Sequence, residues 1–503
     1  MLRALGFPGS KSDSASDGDI AEISDDQPRN TFTELQLLDR HTDIIRHLAK
    51  IDHSRFVSAG DDGSVVFWET ETGRSVHAID RRSQPPGHTR RVTSVLLLPS
   101  VSTLVSSASH DSAAAAAATA GLPLGGESIQ TPVPAGLVPD WLVTASSDKT
   151  IQMWSIDTGK HHRTLHAGGS VKCLVPLFQG AMFCSAGHSI SIWSNDGDLV
   201  SNCGRPKADS DIHTVVPIRG NRLVVASDRP SLSVYNVDQR TTQSNRLNVT
   251  FFRMLQPHRE SIRCLVAVSD AMLASSSLDG MIVLWSTLSL NPMRKFNEHE
   301  KYRDQQHCYP HCVNHLVALE GRYLLAAIAT GFCMFDAIVA LCVVKRTRAH
   351  LSNVNHMEFV AGGSMLSTSS EDGMIRLWSI SSSDSADEAL KPVGVTSPVE
   401  TFMGERDLVS HRKSAKPITP VLVGQLAGHS GAVQRLLDLS PNGFASCSSD
   451  HLVILWKHGV NESQKRDEAV RSFLRAACDG EHAGSSTSPS ADTRSAVFDS
   501  SIF

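Results

Sequence analysis

Five sets of side chains recur along this chain with the makings of a proton relay: His41, Ser58 and Asp62; His88, Thr144 and Asp148; His258, Ser275 and Asp279; His350, Thr368 and Asp372; His429, Ser446 and Asp450. A hydroxyl, an imidazole and a carboxylate within mutual reach could activate a nucleophile. Their spacing argues for another use. In every set the carboxylate follows the hydroxyl by four residues, and an indole follows the carboxylate by six, at Trp68, Trp154, Trp285, Trp378 and Trp456. Five copies of one structural tie are a simpler reading than five copies of one active site. No GxSxG, Walker or HExxH arrangement occurs either, so no catalytic residue is assigned and the chain is expected not to be an enzyme.

A second group with ligand chemistry is HCYPHCVNH, holding His307, Cys308, His311, Cys312 and His315, with His299 upstream. Two cysteines four residues apart and a histidine have zinc-binding character. No second cysteine pair follows, however, and Val313 to Ala318 reads as a strand. The segment is taken as a connector, with neither metal nor cofactor expected.

The elements that must hold the recurring sets are strands. DDGSVVFW, SDKTIQMW, GHSISIW, LDGMIVLW, EDGMIRLW and SDHLVILW each run from a tight turn through alternating apolar residues to a tryptophan, and SLSVYNV and TGFCMFDA end the same way at Tyr235 and Phe335. The closing aromatics lie 86, 39, 42, 50, 50, 43 and 78 residues apart. Only the first and last gaps are irregular, and each contains a low-complexity stretch, residues 99–139 and 379–420. Trp193, Tyr235 and Phe335 lack the turn aspartate, and ten residues before them stand Phe183, Val225 and Leu325 in place of a hydroxyl. Loss of the set looks concerted, because a buried partial network costs more than none. His166 reads as an exposed remnant of such a set.

This co-occurrence of His, Ser or Thr, Asp and Trp resembles the WD40-repeat family. The resemblance implies an all-β fold, a closed eight-bladed WD40 β-propeller over residues 31–458. Phe32 to Leu38 has no blade of its own and is placed as the outer strand of the last blade, beside Val433 to Trp456. A ring closed in this way leaves no open sheet edge between blades.

Residues 1–30 and 480–503 are rich in Ser and Asp and read as disordered. Between them and the ring, residues 459–479 carry Val470, Phe473, Leu474 and Ala477 at helical spacing, an amphipathic helix that either packs on the propeller or is offered to a partner. A net charge of -5 without a long basic block gives no footprint for nucleic acid, and no apolar run is long enough to span a membrane. Ten scattered cysteines suit a reducing, cytoplasmic compartment.

FTELQLLDRHTDIIRHL, RFVSAGDDGSVVFW and SSDHLVILWKHGVNES resemble one branch of the family, the propeller subunits of complexes with DENN-domain proteins. That resemblance implies a non-catalytic scaffold in small-GTPase regulation, autophagy and lysosomal nutrient signalling, recruited peripherally to the lysosomal membrane. It gives partner-binding roles to Phe32, Leu35, Leu37, Val470, Phe473, Leu474 and Ala477. It also implies contact between a lysosomal membrane transporter and the 379–420 loop, where Phe402 and Met403 stand among polar residues. The alternative is a ubiquitin-ligase substrate receptor or another WD40 adaptor. A receptor usually carries Trp-Asp-x-Arg, whereas Glu69, Ser155, Ser194, Ser286, Ser379 and Lys457 follow the tryptophans here.

Overall fold

The computed structural model describes residues 30–99, 139–203, 211–239, 247–297, 312–379 and 417–482, with side chains of the final helix described to residue 472. Within them the strands form eight four-stranded antiparallel sheets. Seven sheets are simple meanders, blades one to seven in chain order, spanning residues 45–79, 92–166, 171–202, 212–255, 262–296, 313–346 and 354–427. The eighth joins Glu34–Leu38 to the outer side of Val453–Lys457, with Leu35 opposite Trp456 and Leu37 opposite Ile454. The first strand of the chain thus completes the last blade, and the molecule is a closed eight-bladed propeller with one C-terminal helix, Gly459–His482.

Burial explains closure. The apolar core is divided into eight clusters, each sandwiched between consecutive blades. Val57, Phe67 and Ile79 of blade one meet Leu142 and Trp154 of blade two in one cluster. Cys447, Val453 and Leu455 of blade eight meet Phe56, Val66 and Trp68 of blade one in another, which seals the ring. A blade is apolar on both faces, so each needs two neighbours, and only a ring supplies them to all eight.

The innermost strands share a further feature. Each opens with a buried Val or Ile: Ile45, Val92, Val171, Ile212, Ile262, Val313, Val354 and Val433. In all eight the register shifts between that residue and the second one after it, the mark of a β-bulge. A bulge re-aims side chains locally, and here it brings a polar pair from each blade toward the axis.

The insertions leave the ring at strand connections. One separates Val92–Leu98 from Trp141–Ser146 and the other Met374–Ser379 from Val421–Ala427. Most of both lies outside the described residues. Where the second returns, Ile418 bridges in parallel to Val344 on the outer strand of blade six. Its amide donates to Val343 at 2.8 Å and its carbonyl accepts from Lys345 at 3.0 Å, so the returning chain covers part of that sheet edge.

Candidate interaction surfaces

Each recurring set is assembled within one blade. His41 sits in the connector that enters blade one, Ser58 on the second strand, Asp62 in the following turn and Trp68 on the third strand. His41 Nδ1 and Asp62 Oδ2 are 3.0 Å apart, His41 Nε2 and Ser58 Oγ 2.8 Å, and Trp68 Nε1 donates to Ser58 Oγ at 2.8 Å. With the imidazole proton on Nδ1, the chain runs without interruption: indole to hydroxyl, hydroxyl to imidazole, imidazole to carboxylate. Asp62 also accepts from the Thr42 amide at 3.0 Å. The network therefore fastens the incoming connector to its own blade.

The same contacts recur elsewhere. The imidazole to hydroxyl distances are 2.9 Å at His258 and Ser275, 2.8 Å at His350 and Thr368, and 2.8 Å at His429 and Ser446. The corresponding indole bonds from Trp285, Trp378 and Trp456 are 3.0, 2.9 and 2.8 Å. Imidazole to carboxylate distances to Asp279, Asp372 and Asp450 are 3.3, 3.3 and 2.9 Å. Burial opposes ionisation of Asp62, Asp148, Asp279, Asp372 and Asp450. Bonds from the histidines, turn hydroxyls and backbone amides outweigh it and hold all five carboxyls below their usual range. Ser58, Thr144, Ser275, Thr368 and Ser446 are wholly buried, so a substrate has no path to these hydroxyls.

Blade two departs from this pattern. His88 reaches Thr144 at 2.9 Å and Asp148 at 3.2 Å, yet the buried Trp154 Nε1 has no partner. Threonine is not the reason, because Thr368 makes the same indole bond in blade seven. Blade three corrects the sequence in the other direction. Its second and third strands are joined by residues 188–189, where blade one uses 61–64. Trp193 pairs with Phe183 as Trp68 pairs with Phe56, which puts Ser185 where blade one has Ser58. Trp193 Nε1 donates to Ser185 Oγ at 2.8 Å. Ten residues back was the wrong offset for a shortened hairpin, and loss of the set is not concerted: the aspartate went with the turn, and the hydroxyl stayed. In blade six Phe335 pairs with Leu324, so Ala326, not Leu325, occupies the hydroxyl place. His166 is exposed.

The inner strands contribute polar bonds between neighbouring blades. Thr93 donates to the Val171 carbonyl at 2.7 Å, Asn314 to Val354 at 3.3 Å and Asn355 to Val433 at 3.0 Å. The Leu174 amide donates to Ser94 Oγ at 3.1 Å and the Leu436 amide to His356 Nδ1 at 3.4 Å. These residues, and the cations beside them, went unassigned from sequence. Their signal is a polar pair directly after each opening Val or Ile.

The outer face of blade eight holds the remaining candidates. Leu35 and Leu37 are 50% and 54% exposed on the closing strand, and Val460 and Val470 are 59% and 57% exposed on the helix. Phe32 does not join them. The Asn30 side chain accepts from the Phe32 amide at 2.9 Å, and the ring turns inward, edge-on to Phe444 at 5.0 Å. It is buried between blades seven and eight, which removes it from any partner surface. Phe473, Leu474 and Ala477 fall on the helix beyond the described side chains, and Phe402 and Met403 lie outside the described residues. So do His299, His307, Cys308 and His311. Cys312 is buried, and His315 lies on the inner strand of blade six. Among the described residues no cluster of three metal-type ligands occurs.

Comparison with known proteins bears on these surfaces. A β-propeller family model described as WDR41 matches residues 1–118 and 129–466. WD repeat-containing protein 41 of Mus musculus is 26% identical over 468 residues, covering 89% of this chain and 92% of that protein. The Homo sapiens protein of the same name is 26% identical, covering 91% and 93%. The crystal structure of the computationally designed Ika8 protein superposes with a TM-score of 0.55 at 17% identity, covering 84% of this chain and 98% of that one. That last likeness is one of fold.

Proposed function

Since this chain belongs to the WDR41 β-propeller family, a family of WD40 scaffold proteins, we propose that it is the recruitment subunit of a complex with DENN-domain proteins. In this reading it regulates small GTPases in autophagy and lysosomal nutrient signalling and performs no chemistry itself. The observation that carries the proposal is the extent of the family match, which takes in both the closing strand and the first part of the helix. These two elements leave Leu35 and Leu37 exposed on the closing strand and Val460 and Val470 exposed on the helix, and burial of such side chains supports association. Val470, with Phe473, Leu474 and Ala477 further along the helix, is proposed to meet the DENN-domain partner. Phe402 and Met403 are proposed to meet a lysosomal membrane transporter, giving peripheral recruitment to that membrane. Among the described residues no helix is long and apolar enough to cross a membrane.

The test is affinity purification of three forms: the full chain, a chain ending at residue 458, and L35D/L37D. A DENN-domain protein should copurify with the first and be lost from the other two. If the full chain captures none, the functional reading falls. If both altered forms retain it, the surface is misassigned.

A further inference from the structure

We propose that the axial channel is a binding site for a small polyphosphate, a compact anion carrying several phosphate groups. The eight bulges bring polar side chains around a cavity of about 550 Å³, within the size range of small-molecule sites. Arg46, Arg91, Lys172, Arg263 and Arg435 line it, drawn from blades one, two, three, five and eight, and no Asp or Glu is among the lining residues. Arg46 is paired, forking onto Asp61 at 2.7 Å. Among the described residues the other four have no carboxylate at ion-pair distance.

Four uncompensated cations facing one cavity repel each other, and low-dielectric walls focus their field. That field is felt by their neighbours. The charge of Arg435 adds to burial in disfavouring protonation of His47, His315 and His356. Glu358 and Asp438 stand further along the inner strands of blades seven and eight, outside the lining residues, and burial raises both. Independently of charge, His315 Nδ1 is buried at the cavity wall without a partner. Its ring lies against that of His356, tilted by 33° with centroids 4.3 Å apart. A polyphosphate supplies what the wall lacks: charge in a small volume, and oxygens for guanidinium forks, an ammonium and a ring nitrogen. Such phosphates are carried by free polyphosphates and by phosphoinositide headgroups alike.

Two probes separate these sources. Isothermal titration uses inorganic tripolyphosphate and inositol hexakisphosphate with the full chain, and sedimentation uses phosphatidylcholine vesicles with and without phosphatidylinositol bisphosphate. The soluble probes should bind one per chain, more weakly as salt rises, and R263Q and R435Q should each weaken binding about tenfold or more. Vesicle binding that needs the phosphoinositide and is lost in the same variants assigns a lipid headgroup. Soluble binding alone assigns a free polyphosphate. No binding to either probe, or affinities unchanged in R263Q and R435Q, overturns the proposal. Without ligand both variants should melt no lower than the parent, since repulsion is removed, and K172Q replaces either one that does not fold.

Discussion

Arg466, on the C-terminal helix, forks onto the carboxylate of Glu34, 432 residues earlier on the closing strand, at 2.5 and 2.9 Å. The helix is thus tied to the strand that closes the ring. Around this pair Lys465 lies 3.4 Å from Glu71, Lys457 donates to the Glu71 carbonyl at 2.7 Å, and Gln36 donates to the Thr72 carbonyl at 2.6 Å. Blade eight and the helix are stitched to the same turn of blade one, so the two chain ends and the first blade form one unit.

Arg466→Glu should therefore free the start of the helix, and Glu34→Gln should do so to a lesser degree, since it removes one charge and opposes none. Amide exchange over residues 459–472 should quicken in that order, and the gap between variants should narrow at high salt. Equal exchange in parent and both variants would show that the fork holds nothing in place.

Thr368→Val and Thr144→Val make an internal control for the hydrogen-bonded sets. The first strands both His350 Nε2 and Trp378 Nε1, whereas the second strands only His88 Nε2, because Trp154 is already unpaired. Each orphaned buried group costs about 1–3 kcal/mol. Urea denaturation should show the blade-seven variant as the less stable of the two, and the reverse ranking contradicts the chain of bonds described.

Truncating Phe32 should damage folding and not recognition alone. Its ring fills the space between Phe444 and blade seven, and Phe→Ala in such a core costs about 3–5 kcal/mol. Leu35→Ala, at a half-exposed position, should cost far less. Denaturation midpoints that place the two variants together would put Phe32 on the surface after all.

The contrast between Phe32 and Leu35 shows what the sequence could and could not yield. The Asp and Trp ladder reports a local geometry, one turn and one strand, so the five sets were legible from spacing, and the ring from the family resemblance they carry. Ser185 was hidden because a hairpin two residues shorter shifts every offset measured from Trp193. Phe32 was misread because it was grouped with Leu35 and Leu37, whereas alternation gives it the inward phase of Leu38, which the Asn30 side-chain bond supports. The channel cations were unreadable as a group: Arg46 and Arg435 face one cavity from opposite ends of the chain, and only the closed ring makes them neighbours.

Acid should destabilise the propeller well before the five turn aspartates titrate. Burial, with the charge of Arg435, lowers His47 to about 3 and His315 to about 4 from a usual value near 6.5. Burial is also the main cause holding His161, His213, His350, His356 and His429 below that value. Each of these imidazoles holds a proton less readily folded than unfolded, so its contribution is present above about pH 6.5 and lost as pH falls below it. Glu358, raised to about 7 by burial and then by Asp438, has the opposite sign, as does the raised Asp438. The large downward shifts of His47 and His315 together outweigh the upward shift of Glu358, so the expected net effect is destabilising between pH 7 and 5. The lowered Asp62, Asp148, Asp279, Asp372 and Asp450 add a second loss, beginning below their usual value near 3.8. Urea midpoints should fall from pH 7.5 to 5.5, and H47Q/H315Q, which removes two of the titrating groups, should flatten that fall. A midpoint that holds or rises at pH 5.5 in the parent would mean that the inner-strand histidines are protonated in the folded ring.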